Sequence, residues 1–210
     1  MKNLIFTAAA VLAFGFANAQ SENDSAKTFG FAENDIFVEG NLGFTSTDNK
    51  NTNAKTNSVQ FSPKVSYFIS DNVAIGVQVG VGSAKGELNG VDVSKSSSFN
   101  AGVFGRYYFL ELGKRFKTYG SANIDFGSAK SGLGNAEVKS NGTAVGVGLG
   151  LNYFVTERIV LNFGLRNILS YNTSKVDAPG AKSSSNFGFD LNGNVANPFA
   201  AGSFGVGYRF

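Results

Sequence analysis

The sequence predicts an all-β protein, an eight-stranded antiparallel transmembrane β-barrel with short periplasmic turns and long extracellular loops. Three observations carry that expectation. Apolar residues recur with a period of two over most of the chain, as strands with one greasy face require. The connections between these runs alternate long and short. The charges inside the runs all fall on the less apolar face, so the other face has none.

Composition narrows the function before any strand is placed. Of 210 residues, 42% are hydrophobic and only 16% charged, against roughly 25% charged in an average soluble domain. Histidine and cysteine are absent. That removes Ser-His-Asp and Cys-His nucleophilic chemistry, His- or Cys-based zinc sites and disulfides. A net charge of +3 is too small and too dispersed for nucleic acid. The expectation is a non-enzyme with no cofactor and no metal.

Residues 1–19 read as a signal peptide. Lys2 supplies the positive start, Leu4 to Phe16 the apolar stretch, and Ala17-Asn18-Ala19 the small-x-small cleavage pattern, leaving Gln20 as the new N-terminus. The apolar stretch is too short for a transmembrane helix. Residues 20–35 are polar and aperiodic, and are expected to form a flexible N-terminal segment. The barrel domain is placed at 36–210.

The strands follow in order. Ile36, Val38, Leu42 and Phe44 alternate with Phe37, Glu39, Asn41 and Thr45. Val59, Phe61, Val65 and Tyr67 alternate with Gln60, Ser62, Lys64 and Ser66; Pro63 within this run leaves a ladder bond unmade or marks a bulge. Val73, Ile75, Val77, Val79 and Val81 alternate with Ala74, Gly76, Gln78 and Gly80. The pattern returns near 99–109, 117–127, 143–154, 159–166 and 201–210. Ser46–Asn57, Ser83–Ser97, Ala129–Asn141 and Ser170–Ala200 are long and polar; Ser70–Asn72, Leu110–Arg115 and Thr156–Arg158 are short. Long loops at one end and short turns at the other are the asymmetry of outer-membrane barrels. Asn186–Leu191 alternates again, and either extends a hairpin above the membrane or belongs to the last strand.

With the richer apolar face turned outward, Glu39, Lys64, Arg106, Asp125, Arg166 and Arg209 all point into the lumen. An Arg or Lys facing mid-bilayer lipid costs about 2–4 kcal/mol, whereas a soluble barrel needs apolar side chains inside. Buried charges need partners, so these six are expected to form a lumen network of salt bridges. Tyr67, Tyr107, Phe109, Tyr153 and Tyr208 lie at the ends of alternate strands beside the short turns, and read as an aromatic girdle at the membrane interface. The inward glycines of Val145-Gly146-Val147-Gly148-Leu149-Gly150 make room for long side chains across a narrow lumen. A phosphate loop would need a helix to follow, and Leu151-Asn152-Tyr153-Phe154 continues the strand instead.

Tyr67-Phe68-Ile69-Ser70-Asp71-Asn72-Val73-Ala74-Ile75-Gly76, Arg106-Tyr107-Tyr108-Phe109 and Gly207-Tyr208-Arg209-Phe210 resemble the small outer-membrane β-barrel proteins of Bacteroidetes, a porin-like family similar in architecture to the OmpX/OmpA-type barrels. The resemblance covers roughly residues 36–210. It implies insertion into the outer membrane by the barrel assembly machinery, with Phe210 as part of the C-terminal assembly signal. Unlike OmpA, the sequence shows no periplasmic peptidoglycan-binding domain after the barrel. Barrel-borne hydrolases of this kind resemble one another in using a histidine base, which this chain lacks.

The functional expectation is a non-enzymatic integral outer-membrane protein, monomeric, with a side-chain-filled polar lumen and a structural or surface-interaction role. Its partners are outer-membrane lipid and lipopolysaccharide, plus an extracellular ligand or surface engaged through the loops, since long loops on a rigid scaffold commonly carry recognition. The alternatives are a small porin and a soluble lipocalin-like carrier.

Overall fold

The computed structural model describes residues 29–133, 137–189 and 202–210, apart from the side chains at 166 and 167. The signal peptide 1–19 and the lead-in as far as residue 28 lie outside the described residues. All regular structure in the described residues is β: β1 (Ile36–Asn49), β2 (Ala54–Ser70), β3 (Val73–Leu88), β4 (Val91–Glu111), β5 (Phe116–Ser131), β6 (Val138–Phe154), β7 (Ile159–Val176), β8 (Ser184–Phe189) and β9 (Gly202–Arg209). Each pairs antiparallel with its neighbours, and β9 pairs with both β7 and β1. The sheet therefore closes on itself as an eight-stranded barrel.

The eighth position is shared. β8 pairs with the upper part of β7, Leu169 opposite Phe189 through Ser174 opposite Ser184. β9 takes the lower part, from Ile159 opposite Tyr208 to Leu165 opposite Gly202. Residues 186–189 thus belong to a hairpin with β7 that lies in line with the last strand. Residues 190–192 fall outside the described residues.

The strands are longer than the loop boundaries drawn from composition. A membrane-crossing strand needs about 9–11 residues, yet β1 has 14 and β4 has 21. Ser46–Asn57 and Ser83–Ser97 are mostly ladder that runs on past the apolar band. The β3–β4 connection is only Asn89-Gly90, both left-handed at φ 51° and 78°, the two-residue turn that suits the twist of a hairpin. Polarity did not end these strands because a hairpin in water can be polar on both faces.

Register confirms the inside-out phase. Val38 faces Val65, which faces Val77, then Val103, Ile124, Val145 and Tyr171. This row is apolar or aromatic throughout and points outward. In the other direction Val38 leads to Tyr208 and Ile159. The two routes meet β7 at positions 171 and 159, twelve residues apart, a stagger that requires tilted strands. Pro63 is accommodated without a bulge: the β2–β3 ladder skips Ser62 and Pro63, then resumes in the same register at Lys64 opposite Gln78.

The inward side chains fit because glycines face them across the ladder. Phe104 lies over Gly76, Asn100 over Gly80, Asp125 over Gly102 and Tyr119 over Gly150. A Cβ on Gly76 would come within 2.6 Å of the Phe104 ring, so that position has no room for a larger residue. Gly150 is one of the sequence-predicted inward glycines, and its space is occupied by Tyr119.

Candidate functional site

The lumen holds polar clusters of different character, one of them continuous with an aromatic floor. Glu39 of β1 and Arg106 of β4 reach each other across the barrel, the guanidinium donating from both Nη atoms to the two carboxylate oxygens, with Nη1 to Oε2 at 2.9 Å. Both are withdrawn from water, Glu39 at 1% and Arg106 at 3% exposure. Lys64 of β2 adds a second cation 3.7 Å from Glu39. The Arg106 guanidinium also sits 4.6 Å from the centre of the Tyr119 ring and 4.9 Å from that of Phe104. Such a fork-to-fork pair is the geometry in which a buried ion pair is tolerated.

Beside it runs a neutral chain of hydrogen bonds. Asn162 donates to the Tyr119 hydroxyl at 2.8 Å and to the Asn152 carbonyl at 2.6 Å, and Asn152 donates to the Tyr108 hydroxyl at 3.2 Å. These side chains come from β4, β5, β6 and β7, so the chain ties four successive strands together along one side of the lumen.

Below lies the floor. Phe37, Phe68, Tyr108, Tyr119 and Phe154 turn inward and bury one another together with Phe31. Phe31 stacks on Phe68 with ring centres 4.2 Å apart, and meets Phe37 and Phe154 edge-on. Residues 29–35 therefore do not behave as the flexible lead-in that polarity suggested. The Asn34 amide donates to the Phe68 carbonyl, the Glu33 amide to Asp71, and Arg209 donates to the Gly30 carbonyl. The physical reason is one aromatic: burying Phe31 in a ring-lined mouth outweighs ordering a short polar stretch.

The six charges expected to share one network do not. Glu39, Lys64 and Arg106 come together. Asp125 stands apart on β5, accepting from Gln78 at 2.6 Å and from Asn123. Arg209 lies at the short-turn end beside Asp35, 3.6 Å away. The Arg166 side chain lies outside the described residues; its backbone sits in an irregularity of β7 where Leu165 and Leu169 face Leu149 and Val147.

The aromatics divide by parity. Tyr67, Tyr107 and Phe109 are exposed on the outer wall near the short turns, and Tyr153 packs against Phe116 there. Tyr208 also has outward register, opposite Val38 and Ile159, but Phe210 and Arg158 cover it to 8% exposure. Phe68, Tyr108 and Phe154, grouped with these in the sequence, face inward. Alternation alone could have separated them, since each is one residue from an outward ring. Phe31 had no such signal.

Above the ion pair the lumen opens into a polar vestibule of about 410 Å³, walled by Gln78, Asn100, Asn123, Asp125 and Asn162 among others. It opens toward the long hairpins and ends at the Arg106 layer. Among the described residues, no three acidic side chains converge to hold a metal ion.

Residues 6–210 match the family model described as outer membrane protein beta-barrel domain. The chain belongs to that family. This outer-membrane barrel is similar in fold to OprG of Pseudomonas aeruginosa, with a TM-score of 0.53 at 13% identity, covering 88% of this chain and 99% of that one. Weaker likenesses include Ail of Yersinia pestis (TM-score 0.43, 17% identity, 85% and 99% covered) and the outer membrane protein W of Escherichia coli (0.44, 15%, 86% and 99%). No curated protein matches the sequence. The barrel is thus an outer-membrane protein with a closed eight-stranded wall, and the soluble-carrier alternative falls away.

Proposed function

We propose that this outer-membrane barrel is a closed, non-enzymatic protein with a structural or surface-interaction role. The observation that carries the reading is the floor: Phe31 stacked on Phe68 beneath the paired Glu39 and Arg106. A solute entering the vestibule from the hairpin side meets two successive barriers, one ionic and one aromatic. Catalysis has no foothold, because Glu39 is engaged by two cations and Asp125 by two amides. The long hairpins then provide the surface for an extracellular ligand, and the outward wall faces lipid and lipopolysaccharide. The exposed outer rings, Tyr67, Tyr107 and Phe109 foremost, form the interfacial girdle of a monomer inserted by the barrel assembly machinery through Phe210. Kinship with the Bacteroidetes barrels rests on the three motifs that carry the resemblance.

A narrow pore is the second reading, favoured by the open polar vestibule; its cationic excess near the floor would prefer anions. Planar-bilayer recordings decide between them. The closed reading expects no discrete conductance from the full barrel, and regular single-channel steps would overturn it.

A further inference from the structure

The outer wall carries a cluster of lysines that neither the fold nor the lumen uses. Above the apolar band, outward register positions on β3 to β7 hold Lys85, Lys95, Lys130, Lys139 and Lys175. Lys85 stands directly opposite Lys95, and Lys130 directly opposite Lys139. Lys175 stands opposite Asn141, one outward position from Lys139. Residues facing each other in this way have Cβ atoms about 4.5–5.5 Å apart, and like charges there repel.

Among the described residues, carboxylates within ion-pair distance relieve this repulsion at Lys85 alone of the five. Glu87 and Asp92 bracket Lys85 at 2.9 and 2.8 Å, and Asp92, then Glu87, push its ammonium up to about 12. Among the described residues, no carboxylate lies within ion-pair distance of Lys95, Lys130, Lys139 or Lys175. Asp177 meets Lys139 through its backbone amide, which donates to the Lys139 carbonyl.

The second observation is a shallow depression of about 390 Å³ in the wall just below the Lys130–Lys139 pair, lined by Phe126, Asn141, Thr143, Thr173 and Lys175 among others. Phe126 is 63% exposed in it and follows the outward Ile124 of the apolar row. An ammonium rim above hydroxyls and an amide, above an aromatic that continues the lipid-facing band, suits an amphiphile with an anionic head. We propose that the β5–β7 wall is a binding site for a phosphorylated lipid of the outer leaflet, its phosphate held among Lys130, Lys139 and Lys175 and its acyl chain against Phe126. A lipid is preferred to a soluble polyanion because the site is continuous with the band that faces hydrocarbon. The proposal rests on the outer-membrane setting and is independent of whether the lumen conducts.

The test uses the full barrel folded in phosphatidylcholine vesicles with or without lipid A, and counts lipid A retained after extraction into mild detergent. The comparison is between wild type, the triple variant Lys130→Gln, Lys139→Gln, Lys175→Gln, and a control triple Lys50→Gln, Lys55→Gln, Lys182→Gln. Each lysine near an anionic surface contributes about five-fold in binding, so the site triple should lose retention by roughly a hundred-fold while the control keeps it. Equal retention by the two triples would overturn the site. Binding of inorganic pyrophosphate in plain vesicles, as strong as that of lipid A, would overturn the lipid source. Unboiled gel mobility of each variant verifies that it has folded.

Discussion

Glu39 and Arg106 hold each other in the lumen at two points. Removing one partner strands the other, which costs about 3–5 kcal/mol, whereas replacing both by apolar groups of similar volume is often neutral. Glu39→Leu should therefore lower the urea midpoint of the vesicle-folded barrel by the larger amount. Glu39→Leu with Arg106→Met should recover much of it, less the penalty of leaving Lys64 without its carboxylate. If both variants unfold at the wild-type midpoint, the pair contributes nothing to stability. The inward phase of both residues was readable from alternation. Their pairing was not, since the partners are 67 residues apart and meet across the barrel instead of along a ladder. Asp125 shows the same limit: its parity was plain, but nothing in the sequence said that amides would hold it.

At the scale of elements, β3 displays the membrane phase most clearly. Val77 is 56% exposed on the outer wall while its neighbour Gln78 bonds to Asp125 inside. Val77→Arg should cost about 2–4 kcal/mol in lipid and block stable insertion, whereas Gln78→Arg places its charge beside a carboxylate and should fold. Equal folding yields in vesicles would contradict the assigned faces. In residues 29–35, before β1, packing rather than polarity sets the structure. Phe31→Ala removes a fully packed ring, a change of about 3–5 kcal/mol in ordinary cores, and should release residues 29–35 from the mouth. Limited proteolysis reads this directly: cleavage ahead of Ile36 is expected to be fast in the variant and slow in wild type, and equal rates would mean that the segment is not held by Phe31. The strands themselves were legible, but their upper ends were not, because polar hairpins lack the apolar alternation that marks a strand.

For the whole molecule, closure is the decisive property. A barrel has no free edge in lipid, so every backbone group in the crossing region finds a partner, and such a wall resists detergent until heated. The unboiled protein should run at a different gel mobility from the boiled one, and a single mobility under both conditions would contradict a closed wall. β9 is what completes the ring, reaching β1 from Phe37 to Asn41 although it has only 8 residues. The upper part of β7 is paired by β8 instead, which accounts for the alternation of Asn186–Phe189.

The amino-acid pattern alone determined the class of wall and its direction: period-two alternation dictates which side chains share a face, and charge placement dictates which face avoids hydrocarbon. Those are local rules, readable residue by residue. Tertiary structure decided what meets what inside, from the Glu39–Arg106 pair to the Phe31 floor and the lysine cluster of the outer wall. Such contacts depend on stagger and closure, which bring together residues that no spacing along the chain relates.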